Sequence, residues 1–161
     1  MTHADLCARA ARWLAGTKGC GVVLTEFSTS APEVPDAIGW TLGARWSVLV
    51  ECKASRADFL RDARKPHRAL RGPGQERWFL APPAIANVQE VPEGWGLAEV
   101  WGRRVRVVLA APNDGIIRAD VALAEAPFLY SALRRMSAGL GVDVLRRKLL
   151  LADEDADAPA P

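Results

Sequence analysis

The sequence lacks the signals of several large classes of protein. No apolar run approaches the roughly 20 residues of a membrane span, and no basic segment followed by an apolar run opens the chain. The three cysteines, Cys7, Cys20 and Cys52, show no CxxC spacing and no nearby pair of histidines, which argues against a zinc site. Because an odd cysteine count without a secretory signal indicates a reducing compartment, we expect a cytoplasmic protein with no membrane partner.

The chain also lacks an internal repeat and a glycine-rich phosphate loop. The run Gly94-Trp95-Gly96 has none of the strand–loop–helix context that such a loop needs. Of the 161 residues, 50% are hydrophobic and 25% are charged, which is ordinary for a soluble globular protein. The net charge of +2 is too small to identify a partner, so the distribution of charge matters more than its sum.

Hydrophobic periodicity predicts a mixed α/β domain. The pattern favours a mixed central sheet flanked by helices in one domain over residues 1–151, followed by an acidic, Pro/Ala-rich and disordered tail over 152–161. The predicted elements are a helix over 3–15, strands over 22–27, 36–42 and 46–53, a helix from Ser55 stopped by Pro66, a strand over 78–81, strands over 97–101 and 104–110, a helix from Pro127, and a helix over 142–151.

Several of these helices carry specific signals. Thr2 with Asp5 three residues later resembles a capping box, and Ser55 with Asp58 repeats that spacing. Pro127 is a residue type typical of a first helical turn. The apolar stripe that follows it is expected to face the core and comprises Phe128, Leu129, Ala132, Leu133 and Met136. His3 is expected to be a terminal surface residue.

Charges break the apolar pattern of the third predicted strand. Glu51 and Lys53 are two residues apart and therefore point to the same face of a strand that begins as an apolar run. Asp36 stands at the start of the preceding strand. Two carboxylates at neighbouring strand ends repel each other, and a divalent cation makes them tolerable. This breach of pattern predicts a functional site.

The residue types indicate phosphodiester chemistry. Carboxylate oxygens suit Mg²⁺ or Mn²⁺, so Asp36 and Glu51 are predicted metal ligands, with the backbone carbonyl of Cys52 as a further ligand. Lys53 could orient a metal-bound water, help lower its pKa, or stabilise charge on a phosphate. Asp36, Glu51 and Lys53 are therefore the predicted catalytic residues.

A basic segment follows the predicted site. From Ser55 to Arg77 there are seven basic and three acidic residues, a net charge of +4. Because basic side chains track a phosphate backbone and a helix N-terminus favours anions, we expect this segment to contact DNA. The predicted DNA contacts are Ser55, Arg56, Arg61, Arg64, Lys65, Arg68 and Arg71.

The motifs resemble those of a known superfamily. Pro35-Asp36 followed by Glu51-Cys52-Lys53 is similar to the PD-(D/E)xK nucleases, over roughly residues 3–83. The run Val50–Phe59, the strand Trp78–Pro83 and the stretch Pro92–Leu97 resemble a bacterial and prophage family that includes the MmcB-like DNA repair proteins.

The resemblance carries several expectations. It implies a restriction-endonuclease-like αβββαβ core, metal-dependent hydrolysis of DNA, and a role in repair, recombination or phage DNA processing. It also implies that Glu26 is an additional metal ligand near the first strand. A homodimer, or a repair or phage protein as partner, is compatible with this family.

Three other interpretations remain open. Glu51 and Lys53 could form an ion pair on an edge strand, with Asp36 as a turn residue after proline. The chain could be a non-catalytic DNA-binding module of the same fold that supports repair. It could also be a protein-interaction domain with no role on nucleic acids.

Overall fold

The computed structural model describes residues 1–27, 29, 34–41, 43, 45–65 and 72–140. The helix predicted over 142–151 and the tail predicted over 152–161 lie outside the described residues, as do Pro66, Arg68 and Arg71. Within the described ranges the elements follow the predicted order as far as the sixth strand. They are α1 (His3–Gly16), β1 (Cys20–Thr25), β2 (Ala37–Thr41), β3 (Ser47–Cys52), α2 (Arg56–Ala63), β4 (Glu76–Ala81), a 3₁₀ turn (Val88–Glu90), β5 (Trp95–Trp101), β6 (Arg104–Leu109) and α3 (Ala119–Leu140).

The six strands form one mixed sheet in the sequential order β1 to β6. β1, β2 and β3 are antiparallel neighbours, β4 and β5 continue in parallel with β3, and β6 turns back antiparallel to β5. The predicted mixed α/β class is therefore confirmed. Because β3 lies third of six strands, the placement of Glu51 and Lys53 on an edge strand is wrong, although the predicted ion pair between them is present at 3.1 Å.

The two faces of the sheet have separate cores. Alternate residues of β3, namely Val48, Val50 and Cys52, pack in the core that holds the buried side of α1. Leu49, which points the other way, packs with Phe59 of α2 and Phe79 of β4. The alternation follows from the two-residue period of a strand, and it places α1 and α2 on opposite faces.

The predicted caps of both early helices are present. Thr2 Oγ1 accepts a hydrogen bond from the Asp5 amide at 3.1 Å, and Asp5 Oδ2 accepts one from the Thr2 amide at 2.9 Å. Ser55 Oγ accepts from the Asp58 amide at 3.2 Å. These caps satisfy amides that would otherwise lack partners in the first turn.

The prediction that the third helix begins at Pro127 is wrong. α3 begins at Ala119, so Pro127 lies inside it. The buried carboxylate of Glu125 explains the earlier start, because it accepts hydrogen bonds from Trp40 Nε1 at 2.7 Å, from the Gly74 amide at 2.9 Å and from the Ser47 hydroxyl. Such tertiary bonds offset the one helical hydrogen bond that a proline removes.

The predicted apolar stripe of this helix is only partly buried. Phe128 is fully buried, whereas Leu133 and Met136 are exposed. The expectation that all five stripe residues face the core is therefore wrong. The buried residues Val121, Glu125 and Phe128 lie on one face of the helix at helical spacing. With that face turned to the core, the later apolar side chains Leu133 and Met136 are exposed to solvent.

Among the described residues, none of the helices has both the length and the hydropathy needed to cross a membrane.

Candidate functional site

The predicted acidic residues lie at one end of β2 and β3. Ala37 pairs with Val50 in the antiparallel register of these strands. Carried one residue further, this register sets Asp36 opposite Glu51. The register thus sets two residues that are 15 apart in the chain on neighbouring strands, at the sheet end where α1 and α2 begin.

Lys53 is a buried cation between two carboxylates. Its Nζ lies 3.1 Å from Glu51 Oε2 and 3.2 Å from Asp62 Oδ2. Lys53, Glu51 and Asp62 are 6%, 4% and 2% exposed, respectively. Buried charges of this kind need partners, and here the two acids supply them from β3 and from the inward side of α2.

The surroundings of Lys53 keep its side chain positively charged, as the roles predicted for it require. Burial alone would lower the pKa of its ammonium group, but the charges of Glu51 and Asp62 outweigh burial and raise the pKa above its usual value. Lys53 is therefore protonated at neutral pH and cannot act as a general base. A fixed positive charge can orient a water or stabilise charge on a phosphate.

Asp36 is held from two sides. Its Oδ2 accepts a hydrogen bond from the Cys52 amide at 2.7 Å, and its Oδ1 lies 3.3 Å from His3 Nε2 of α1. The backbone amide of Cys52 is thus the group that contacts Asp36. The role of the Cys52 carbonyl as a metal ligand stays a prediction. These contacts connect the α1 side of the site to the strand that carries Glu51 and Lys53.

A second group of ligand atoms surrounds His3. Its Nε2 lies 3.4 Å from Cys7 Sγ and 3.6 Å from Glu26 Oε1. Within the part of the chain that the structure describes, His3, Cys7 and Asp36 offer ligand atoms that all lie within 4.8 Å of one another. Glu26, predicted as a weaker candidate ligand, therefore lies close to Asp36 and shares His3 as a neighbour.

The Cys7 and Cys52 thiols share a hydrogen bond between α1 and β3. This bond lowers the pKa of the Cys7 thiol. The same bond, together with burial, raises the pKa of the Cys52 thiol. Both cysteines are buried and free, so this contact joins the two elements that carry His3 and Glu51.

The basic side chains of α2 are largely paired with local acids. Arg56 contacts Glu90 through both terminal nitrogens at 2.5 and 3.0 Å, Arg61 contacts Asp58 at 2.9 Å, and Lys65 pairs with Asp62. The predicted DNA contacts on this helix therefore carry less free charge than the sequence suggests. Ser55 accepts the cap bond, and Arg64 is exposed at the end of α2.

A groove lined by arginines lies at the other end of α1. It has a volume of about 470 Å³, and no acidic residue is among the described residues that line it. It is lined by Arg9 and Arg12 of α1, by Arg103 of the β5–β6 turn and by Arg104 of β6, together with Trp13. The sequence analysis missed this groove because its arginines come from segments about 90 residues apart.

Two donor sets at this sheet end could hold a metal. Asp36 and Glu51 are carboxylates at adjacent strand ends, which fits the oxygen preference of Mg²⁺ or Mn²⁺. His3, Cys7 and Asp36 form a mixed nitrogen, sulfur and oxygen set. Both sets use Asp36, so this residue is common to both arrangements.

Sequence reasoning missed three residues of this region. Asp62 counted only as an acid opposing nearby arginines, although its position three residues after Phe59 could have indicated the inward face of α2. His3 was expected to be a surface residue, and Cys7 was not considered as a ligand. His3 and Cys7 share one face of α1 at a spacing of four residues, which is a readable signal.

Comparison with known proteins supports the fold alone. No protein-family model and no curated protein matches the chain. A solved structure, the SPO1766 protein of unknown function from Silicibacter pomeroyi, aligns with a TM-score of 0.60 at 23% identity, over 89% of this chain and 94% of that one. At this identity the likeness indicates a shared arrangement of elements.

Proposed function

We propose that the protein is a metal-dependent nuclease of the PD-(D/E)xK type that hydrolyses phosphodiester bonds in DNA. The observation that carries the proposal is the meeting of Asp36, Glu51 and Lys53 at one sheet end, with the register setting Asp36 opposite Glu51. The order α1, β1, β2, β3, α2, β4 also fits a restriction-endonuclease-like αβββαβ core. Repair, recombination or phage DNA processing is the proposed context.

Asp36 and Glu51 would hold Mg²⁺ or Mn²⁺, with Glu26 and the Cys52 carbonyl as further ligands. The bound cation would polarise a phosphate and lower the pKa of a coordinated water. Asp36 is oriented for this role by the Cys52 amide. Lys53, kept positive by Glu51 and Asp62, would stabilise negative charge that develops on the phosphate.

DNA would contact the arginine groove as well as the helix that follows Lys53. The groove offers Arg9, Arg12, Arg103 and Arg104, whereas Arg56 and Arg61 of α2 and Lys65 just after it are paired with acids. Contacts between arginine and phosphate are independent of sequence and sensitive to salt. Arg64, Arg68 and Arg71 stay proposed contacts.

Asp36→Ala tests the nuclease directly. We expect cleavage of plasmid, single-stranded or branched DNA with Mg²⁺ or Mn²⁺ to fall by a factor on the order of 100 or more, because one ligand of the cation is removed. Circular dichroism would establish that the variant is folded. Asp58→Asn, which changes an acid on the outer side of α2, is the matched control and should keep its activity.

Lys53 provides the second arm of this test. A folded Lys53→Ala variant is expected to lose cleavage, since the fixed positive charge beside Glu51 disappears. Cleavage that survives in folded Asp36→Ala and Lys53→Ala proteins would rule out this mechanism.

A non-catalytic DNA-binding module is the second candidate function. The observation that favours it is the enclosure of Lys53 by Glu51 and Asp62, which satisfies its charge within the protein. This candidate predicts DNA retention that weakens steeply with salt, with no cutting in Mg²⁺ or Mn²⁺. Metal-dependent cleavage abolished by Asp36→Ala would exclude it.

A further inference from the structure

The first turns of α1 and the start of β2 place three different ligand types around one nitrogen. Cys7 Sγ, Asp36 Oδ1 and Glu26 Oε1 lie 3.4, 3.3 and 3.6 Å from His3 Nε2. An imidazole nitrogen carries either one proton or one lone pair, directed along a single line in the ring plane. His3 Nε2 can therefore make one well-aligned hydrogen bond and cannot serve all three neighbours equally.

A cation between these atoms would satisfy them together. In a tetrahedral zinc site the bonds are about 2.0–2.3 Å long, which puts neighbouring ligand atoms about 3.3–3.6 Å apart. The three separations from His3 Nε2 fall in this range. The mixture of imidazole, thiol and carboxylate is also the ligand chemistry of Zn²⁺, whereas Mg²⁺ selects oxygen ligands alone.

The ligand atoms are held in place by the surrounding fold. His3 and Cys7 are four residues apart on one face of α1, and the Thr2–Asp5 capping box fixes the turn that carries His3. Cys7 is 4% exposed and packed in the core. Asp36 is oriented by the Cys52 amide, and the Glu26 amide donates to the Asp36 carbonyl at 3.0 Å. Such support is what a preorganised metal site requires.

We infer that His3, Cys7 and Asp36, whose ligand atoms all lie within 4.8 Å of one another, form a binding site for a zinc-class divalent cation, and that the exposed side chain of Glu26 turns toward the ion as the fourth ligand. The site shares Asp36 and Glu26 with the proposed nuclease centre but uses neither Glu51 nor Lys53. The inference therefore does not depend on cleavage. The exposed side chains of His3 and Glu26 leave the site open to solvent on one side, which allows the ion to enter.

Cobalt substitution tests this site in the full chain, produced without a histidine tag. Co²⁺ bound to a thiolate shows a near-ultraviolet charge-transfer band, and Zn²⁺ should displace it at a ratio of one ion per chain. Cys7→Ser is expected to abolish the band. Cys20→Ser is the matched control, because Cys20 is also buried and free but lies outside the ligand set, and this variant should keep the band.

His3→Gln provides a second measurement, since this half-exposed side chain can be replaced without opening the core. We expect its affinity for Zn²⁺ to fall by a factor on the order of 10 to 100 or more in a Co²⁺ competition titration. A saturable band that persists in Cys7→Ser, or an unchanged affinity in folded His3→Gln, would overturn the inference. The absence of saturable binding in the wild-type protein would overturn it as well.

Glu51→Gln separates this inference from the proposed nuclease. The variant is expected to keep the cobalt band, because Glu51 is not a ligand of this site, and to lose DNA cleavage. Retained cleavage with a retained band would count against the nuclease centre alone. Disappearance of the band in a folded variant would show that the cation sits at the Glu51 side instead and would refute the zinc-class site.

Discussion

At the scale of single residues, the backbone of Glu26 is unusual. Glu26 has a φ of 46°, in the left-handed region that residues with a side chain seldom adopt. This conformation costs a residue other than glycine roughly 1–2 kcal/mol. Since the Glu26 carboxylate lies beside His3, the strain is consistent with a residue kept for its side chain.

Glu26→Gly tests whether this side chain serves the site or the fold. We expect the free energy of unfolding to stay unchanged or to rise by up to about 1 kcal/mol, because glycine relieves the strain but adds entropy to the unfolded chain. Urea denaturation measures this change, and a cobalt titration should show weaker binding of the cation.

Ala84→Gly is the matched control for that change. Ala84 also has a positive φ, of 64°, and follows β4 outside the site. The control should change stability in the same direction and leave cation binding untouched. A destabilisation of more than about 1 kcal/mol in Glu26→Gly would show that its carboxylate holds the fold together.

At the scale of secondary-structure elements, buried carboxylates join the helices and loops to the sheet. Glu76 at the start of β4 accepts hydrogen bonds from Lys18 at 2.5 Å and from Trp46, Trp78 and Asn113 at 3.0 Å each. Burial would raise the pKa of this carboxyl, but Lys18 and the indole donors outweigh burial and lower it. Glu76 is therefore a charged group that links the α1–β1 turn, the residue before β3, β4 and the segment after β6.

The lowered pKa of Glu76 predicts a dependence of stability on pH. Its contribution is fully present above the usual glutamate pKa of about 4.3 and is lost as the pH falls through the lower folded-state value. Glu76→Gln should therefore destabilise the protein by about 1–3 kcal/mol at pH 7, because Lys18 loses its charged partner. Urea denaturation should show a smaller difference from wild type at pH 3.

Glu93→Gln is the control for this experiment, because Glu93 is exposed in the turn before β5. The free energy of unfolding of this variant should equal that of the wild-type protein at both pH 7 and pH 3. A destabilisation by Glu76→Gln that is equal at pH 7 and pH 3 would contradict the assignment of a charged Glu76.

At the scale of the whole molecule, α1 connects the two regions that the proposals assign to function. His3 lies at its start and Arg12 near its end, and nine residues of helix span about 14 Å. A DNA backbone laid along α1 would thus meet the arginine groove while reaching the Asp36 end of the sheet. His3 and Cys7 of the inferred metal site and Arg9 and Arg12 of the groove thus belong to one helix.

Charge reversal in the groove tests this path. Arg12→Glu combined with Arg104→Glu should weaken DNA retention at all salt concentrations. The slope of log affinity against log salt should fall by about 1 for each phosphate that no longer pairs with an arginine. Fluorescence anisotropy with labelled duplex and single-stranded DNA would measure both quantities.

Two comparisons make this experiment decisive. Arg134→Glu reverses one charge at an exposed position of α3, the same change per residue as in the groove variant. It should have little effect on DNA affinity. Reversal of Arg61 and Lys65, which are paired with Asp58 and Asp62, should weaken binding less than reversal in the groove. The opposite order of effects would place the DNA backbone on α2.

Local sequence was enough to predict most elements and the residue types of the site. The capping box at Thr2, the cap at Ser55 and the apolar run into Glu51 are patterns within a few residues, and short-range geometry alone produces them. The same patterns identified Asp36, Glu51 and Lys53 as candidates. The helix that follows Pro127 was predicted correctly, but its start was placed too late, because the anchor at Glu125 depends on Trp40, Ser47 and Gly74, which are distant in the chain.

The partners of these side chains were decided only by tertiary structure. Strand register set Asp36 opposite Glu51, and the packing of α2 on the sheet directed Asp62 to Lys53. The packing of α1 on the other face brought His3 to Asp36. Periodicity in a sequence specifies which face of an element is buried, but contacts between elements depend on how those faces meet in three dimensions. For that reason the cysteine spacing argued against a zinc site, while the folded chain assembles ligands that suit one.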